Sequence, residues 1–214
     1  MEFRPDGSLV LDTALSMSLA SEDALSREVT ETARLVQLAI GGDSAAFEQI
    51  VMRHETRVMN LAARLLGNRD EAADVAQEVF LRAFKYLHRL DVDKPMEPWL
   101  IRITINACRD AARGRQRRHA LIDGDAREAA ATIDQSTDPY AGLAHKEERL
   151  MLRKALDTLP EKERLALLLR DVEGLSTAEV AQVLQSSETT VRSQVSRGRL
   201  RLKEAIDRLV GDRL

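Results

Sequence analysis

Residues 159–206, LPEKERLALLLRDVEGLSTAEVAQVLQSSETTVRSQVSRGRLRLKEAI, decide the fold class of this chain. Pro160 suits the first turn of an opening helix, where its missing N–H would have had no partner. Ser176 and Glu179 have the S-x-x-E spacing of a capping box, which predicts a short helix through Leu184. Gln185–Ser187 then reads as a tight turn, and a third helix is expected from about Glu188 to Leu209. At 100° per residue, Val191, Val195, Gly198, Leu202, Ile206 and Leu209 share one narrow face of it. Thr189, Arg192, Ser193, Ser196 and Arg197 lie on the opposite face, and five basic residues with no acid fall between Thr189 and Lys203. A core stripe backed by a cationic, hydrogen-bonding face is what a helix reading the major groove requires. The same pattern also fits an amphipathic helix in a bundle with solvated arginines, so the remainder of the chain has to decide.

Composition narrows the choice. Hydrophobic residues make up 44% of the 214, enough for real cores, while 31% charged and 3% aromatic residues point to charged helices. Ala, Leu, Arg and Glu dominate and β-branched runs are short, so an all-α protein is expected: two small helical domains joined by a long flexible linker, the second containing a helix-turn-helix. The net charge of −3 conceals segregation, because Arg109, Arg113, Arg115, Arg117 and Arg118 form a second basic cluster apart from the helix above. Two basic patches on an otherwise acidic chain imply two nucleic-acid contacts. The single Cys108 excludes an intrachain disulfide and a multi-cysteine zinc site, and favours a reduced, cytoplasmic setting. No apolar run has the length of a membrane span, and an N-terminus with Glu2, Arg4, Asp6 and Asp12 does not read as a signal peptide.

Along the chain, residues 1–29 read as a flexible extension. Helical periodicity begins at Thr30 and stops at Gly41-Gly42; Asp43 caps a helix carrying Phe47, Ile50, Val51, Val58 and Leu61, closed by Gly67. Asn68 and Glu71 open a third helix, expected to reach Leu90. Its core side is Val75, Val79, Ala83 and Leu87, and opposite lie Asp70, Asp74, Gln77, Glu78 and Lys85, with Leu81 in their midst and Phe84 at the edge. An apolar residue centred in a polar face is either a plain exposed leucine or the anchor of a protein interface. The stretch 91–98, DVDKPMEP, reads as a loop because of its two prolines, with a fourth helix starting near Trp99. On that helix Trp99, Arg102, Asn106, Arg109, Arg113 and Arg117 share a face, while Leu100, Ile101, Ile103, Ile105, Ala107 and Ala111 can pack. Guanidiniums bind phosphates, an amide reads a base edge and an indole stacks on an unpaired base, although Trp99 taken alone is better explained as a core anchor. Residues 119–142 lose periodicity and carry Asp123, Asp125, Glu128, Asp134 and Asp138 against Arg127. They read as an acidic linker able to reach roughly 80 Å when extended. The division expected is thus an extension at 1–29, domains at 30–118 and 143–214, and a linker at 119–142.

These segments together resemble the extracytoplasmic-function class of bacterial sigma factors. The resemblance rests on DEAADVAQEVFLRAFKYL (70–87), PWLIRITINACRDAARGRQRR (98–118), the linker, and the LPEKER…GLSTAEVAQVLQSSETTVRSQVSRGRLRL segment, and spans Thr30 to Leu209 in order and spacing. It implies a first domain that binds core RNA polymerase and reads and melts the −10 element, and a second that reads the −35 element. By that resemblance the polymerase contact comprises Asp70, Asp74, Gln77, Glu78, Phe80, Leu81 and Lys85. The −10 contact comprises Lys94 of the loop with Trp99, Arg102, Asn106, Arg109, Arg113 and Arg117, Asn106 standing at the base-reading position. The −35 contact comprises Thr189, Arg192, Ser193, Ser196 and Arg197. Gln194 and Ser196 depart from the basic and bulky residues often found there, and the N-terminal extension is longer than the minimal family pattern, while nothing after Leu209 suggests an added domain. The partners implied are core polymerase, promoter DNA and an anti-sigma protein, with no cofactor, metal, small-molecule substrate or membrane insertion. Two other readings compete: a stand-alone helix-turn-helix regulator, which would bind its operator without polymerase, and a recombinase-like enzyme. The latter is disfavoured because His54, His88, His119 and His145 are scattered and no nucleophile–base spacing or H-E-x-x-H is present.

Overall fold

The computed structural model describes residues 30–92, 94–122 and 143–211, and every regular element among them is a helix. The order is α1 (residues 30–40), α2 (Ser44–Leu66), α3 (Arg69–Tyr86), a 3₁₀ turn (Leu87–Arg89), α4 (Met96–Ile122), α5 (Leu143–Asp157), α6 (Glu161–Leu167), a π turn (Leu168–Val172), α7 (Thr177–Leu184) and α8 (Glu188–Gly211). The all-α, two-group architecture expected from the sequence is therefore the observed one. The expected extension at 1–29 and most of the expected linker lie outside the described residues.

Local chemistry sets the boundaries. The Asp43 carboxylate accepts from the N–H groups of Ala45 and Ala46 at 2.9 and 3.1 Å and starts α2. Gly67 ends α2 in the left-handed region at φ 78°, and its N–H donates to Ala63. A side chain there would also run into the Arg153 guanidinium of α5, so glycine serves both the turn and a close approach. The Asn68 side chain accepts from Asp70 and Glu71 to open α3. That helix is shorter than the sequence indicates: α-geometry stops at Tyr86, and the last turn tightens to 3₁₀ before extended Leu90. Conversely α4 starts earlier, at Met96, because Pro98 falls in its first turn, where a missing N–H costs nothing. It also runs to Ile122, four residues into the stretch assigned to the linker.

In the second group the Ser176–Glu179 capping box is formed in both directions, at 2.7 and 3.2 Å. Gln185 makes the helix-turn-helix corner in the left-handed region at φ 52°, a conformation that costs a non-glycine residue about 1 kcal/mol or more. Gly198 brings α8 close to α6, where an added Cβ would stand 3.2 Å from the Glu163 carbonyl oxygen. The stripe of α8 packs as expected, with Val191, Val195 and Gly198 buried and Leu202, Ile206 and Leu209 half-buried.

Among the described residues, three apolar clusters hold the helices together. One joins α1 to the start of α4 through Leu35, Val36, Ile50, Leu87 and Met96. The next fills the space between α2, α3 and α4 with Val58, Leu66, Val75, Val79, Phe80, Leu100 and Cys108. The third is the core of the helix-turn-helix group, and it includes Leu61, Ile101 and Ile105 of the first group. The two groups are thus docked, α4 against α7, and share a core.

Candidate nucleic-acid and polymerase interfaces

The surface of α8 follows directly from its periodicity. With the stripe turned inward, Thr189, Arg192, Ser193, Ser196 and Arg197 are all exposed on one face, as the sequence indicates. Ser187 caps the helix, its Oγ accepting from the Thr190 N–H at 3.1 Å, which orients the first turn that would enter a groove. Arg192 is held by Glu188 one turn earlier at 2.8 Å. Arg197 lies 3.8 Å from Glu163, whose side chain is buried and also accepts from Arg201 at 2.9 Å. Glu163 of α6 therefore tethers α8 by two of its arginines. Gln194, between the two outward arginines in sequence, is buried.

The α4 surface is divided in a way the helical wheel does not foresee. Arg102, Asn106, Arg113 and Arg117 are exposed, and Lys94 stands exposed in the preceding loop. Trp99 is half-buried and packs against two of the apolar clusters at the helix start. Arg109 reaches the second group, where its Nε donates to Glu161 at 2.8 Å. Arg113 pairs with Asp110 at 2.6 Å and Lys94 with Asp91 at 2.7 Å, so both cations are screened locally. Arg115 of the basic cluster is bound to Glu71 of α3 at 2.8 Å and ties the two helices together.

On α3, Asp70, Asp74, Gln77, Glu78 and Lys85 are exposed as expected, and Leu81 stands among them at 60% exposure. Phe80 of the same motif is 9% exposed and part of the core cluster, because it falls on the Val79–Ala83 side of the helix. Its inner position still lets it floor an open groove of about 450 Å³, walled by Phe47, Val51 and Met59 of α2 and by Leu81 and Phe84 of α3. Phe84 is 58% exposed and meets Phe47 edge to face at 4.9 Å. Glu55 and Gln77 stand at the rim. Glu78 is engaged by Arg82, which bridges to Asp110 of α4; these bonds hold the Asp110 carboxyl below its ordinary range, through Arg82 first and Arg113 second. An apolar groove with a charged rim suits a protein helix better than a nucleic acid.

A second open apolar groove, about 420 Å³, lies on the other group between Leu152, Leu156, Leu168, Val172, Leu202 and Ile206, with Asp171 and Arg199 paired beside it. The sequence reading missed it because its walls come from three helices whose contact is tertiary. The α2 wall of the first groove was missed for the same reason; the only sequence signal was Phe47 and Val51 at i, i+4.

Among the described residues no cluster of three or more His, Cys, Asp or Glu is arranged to hold a metal ion. The thiol of Cys108 is buried in the α2–α3–α4 core, and that burial pushes its pKa up to about 12.

Comparison with known proteins bears on these surfaces. Residues 50–118 match the family model for sigma-70 region 2, and residues 149–202 match that for sigma-70, region 4. The chain is 33% identical over 180 residues to the RNA polymerase sigma-H factor of Pseudomonas aeruginosa, covering 82% of this chain and 91% of that protein. It is 31% identical over 191 residues to the ECF RNA polymerase sigma-E factor of Escherichia coli, covering 87% and 97%. Among solved structures it resembles CnrH in complex with the cytosolic domain of CnrY, with a TM-score of 0.64 at 25% identity over 83% of this chain and 97% of that one. It also resembles the sigma factor RpoE of Bartonella quintana in complex with the anti-sigma factor NepR, with a TM-score of 0.63 at 25% identity over 75% and 96%.

Proposed function

Because this chain belongs to the ECF class of RNA polymerase sigma factors, and so is an initiation factor that directs the polymerase to specific promoters, we propose that its exposed faces divide that task among themselves. The outward face of α8, with Thr189, Arg192, Ser193, Ser196 and Arg197, reads the −35 element in the major groove. Arg102, Asn106, Arg109, Arg113 and Arg117 of α4, with Lys94 before it, take the −10 element, arginines on phosphates and Asn106 on a base. Trp99 supports that face from within. The α2–α3 groove, with Leu81 as anchor and Asp70, Asp74, Gln77, Glu78 and Lys85 as rim, docks on core polymerase. Residues 30–118 and 143–214 are the two working domains and 119–142 the tether between them.

The observation that carries this assignment is the capped α8, whose core stripe is turned inward and whose arginine-bearing face stands open. The protein acts by binding and not by catalysis, and works with polymerase in the bacterial cytoplasm; no described helix is long and apolar enough to cross a membrane. A stand-alone regulator does not account for the matches to both sigma regions in order. The two open apolar grooves, together with the anti-sigma factor NepR bound in the RpoE structure, support an inhibitory protein that covers them in this chain too. The test is reconstitution: added to core RNA polymerase, the protein yields promoter-specific transcripts, and Arg192→Ala or Arg197→Ala reduces them by about 5- to 100-fold, as loss of one arginine–base contact predicts. Specific operator binding without polymerase, and no transcripts with it, would overturn the assignment.

A further inference from the structure

Glu163 stands in the first turn of α6, and the whole residue is 6% exposed. A carboxylate removed from water is costly unless opposite charges reach it, and here both come from α8. Arg201 donates to Oε2 at 2.9 Å, and the Arg197 Nε lies 3.8 Å from Oε1, an ion pair longer than a hydrogen bond. Gly198, between these arginines in sequence, lets the two helices approach: a Cβ there would stand 3.2 Å from the Glu163 carbonyl oxygen and 3.6 Å from the Glu163 Cβ. One residue of α6 thus sets the height of α8 with its backbone and holds an arginine on either side of the contact with its side chain.

The two arginines are used differently. Arg201 gives the carboxylate a full hydrogen bond and balances its charge, so that no uncompensated anion stands behind a face meant for phosphates. Arg197 keeps its own charge for an outside partner, since its side chain is 58% exposed. Its Nε also donates to the Ser193 carbonyl oxygen at 3.3 Å. With Nε turned toward the helix and the buried carboxylate, the guanidinium offers a base its two Nη groups, end-on. A bidentate contact tolerates little misplacement, because both N–H groups must meet O6 and N7 of one guanine together.

We propose that Glu163 is a positioning residue for −35 recognition: it does not touch DNA, and it holds the Arg197 guanidinium at the height and angle from which the Nη groups meet a single base edge. The inference rests on the −35 reading of α8 and adds to it a specificity determinant on another helix. Without this restraint Arg197 would reach neighbouring phosphates as readily as the base, so binding would persist while selectivity fell.

The test is transcription by the full chain with core polymerase, on promoters substituted singly at each position of the −35 element. The quantity read is the ratio of transcript from the preferred and the substituted promoter, in which any inactive fraction of the protein cancels. Arg197→Ala should flatten this ratio at one base pair by about 5- to 100-fold. Glu163→Gln, which keeps the shape and removes the charge, should flatten it at the same pair by about 3- to 10-fold and leave the −10 preferences as they are. Added to Arg197→Ala it should change the ratio no further, because the group it positions is gone. Glu163→Asp, with the charge on a shorter arm, should give a smaller loss at the same pair, and it carries the test if the glutamine variant does not fold. A role in stability alone would lower every transcript alike. Unchanged ratios in the folded Glu163 variant, a further loss on top of Arg197→Ala, or an Arg197→Ala variant that weakens all promoters equally would each overturn the inference. Failure of the −35 reading looks different: neither Arg192→Ala nor Arg197→Ala would then alter transcription from any promoter of the panel.

Discussion

Leu81→Asp is the most discriminating test of the proposal that the α2–α3 groove docks on the polymerase. Leu81 is 60% exposed in the free chain, and no core cluster includes it. Full burial of a leucine is worth about 1.5–3 kcal/mol, so docking that covers the remaining surface gains roughly 1–2 kcal/mol from this side chain. Leu81→Ala should then weaken core-polymerase binding by about 5- to 30-fold. Aspartate also places an unpaired charge against the apolar wall formed by Phe84 and Met59, raising the loss to about 3 kcal/mol or more, over a hundredfold. Stability should change little, since surface substitutions away from packed features stay within about 0.5 kcal/mol. The assay is equilibrium competition for core polymerase with a labelled wild-type chain, paired with thermal unfolding by circular dichroism. Undiminished affinity with an unchanged melt would refute the groove as the docking site. A collapsed melt would instead show that Leu81 supports the fold.

On α4, Asn106→Ala should relax base preference at one −10 position in permanganate footprinting, while Arg109→Ala should weaken binding across sequences and lower the salt slope by about one. Gln194→Ala should lower stability through its buried side chain and leave the preferred −35 sequence unchanged; a shift in preference there would place the wrong face of α8 in the groove. Cys108 should resist thiol reagents at pH 8 in the folded chain and react at once in denaturant. Burial lifts its pKa from an ordinary 9.0 to about 12, so its contribution to stability is intact below pH 9 and is lost as pH rises toward 12. Gln185→Gly should raise the melting temperature, relieving about 1 kcal/mol of left-handed strain at the helix-turn-helix corner; no gain would show that the Gln185 side chain offsets that strain.

How much was legible in the sequence depended on how local each feature is. Caps and turns at Asp43, Gly67, Asn68 and Ser176 concern groups a few residues apart, and the structure forms each of them. Helical periodicity likewise placed Val191, Val195 and Gly198 inward and Arg192, Ser193 and Arg197 outward, because 3.6 residues per turn fixes the face before any partner is known. It also left Leu81 standing alone on a polar face. Periodicity tells which residues share a face, not what that face meets. Trp99 and Arg109 fell on the same side of α4, yet one is drawn into the core and the other into a bond with Glu161 from more than fifty residues away. Phe80, which shares a motif with exposed Gln77 and Glu78, turns inward and floors the α2–α3 groove. Glu173, an unremarkable acid before a glycine, is buried because Arg57 and Arg64 meet it from over a hundred residues upstream. The sequence by itself thus determined the helices, their inward faces and the family; tertiary structure alone decided which outward faces are free, which are grooves and which close on one another, because those contacts join residues that no local period connects.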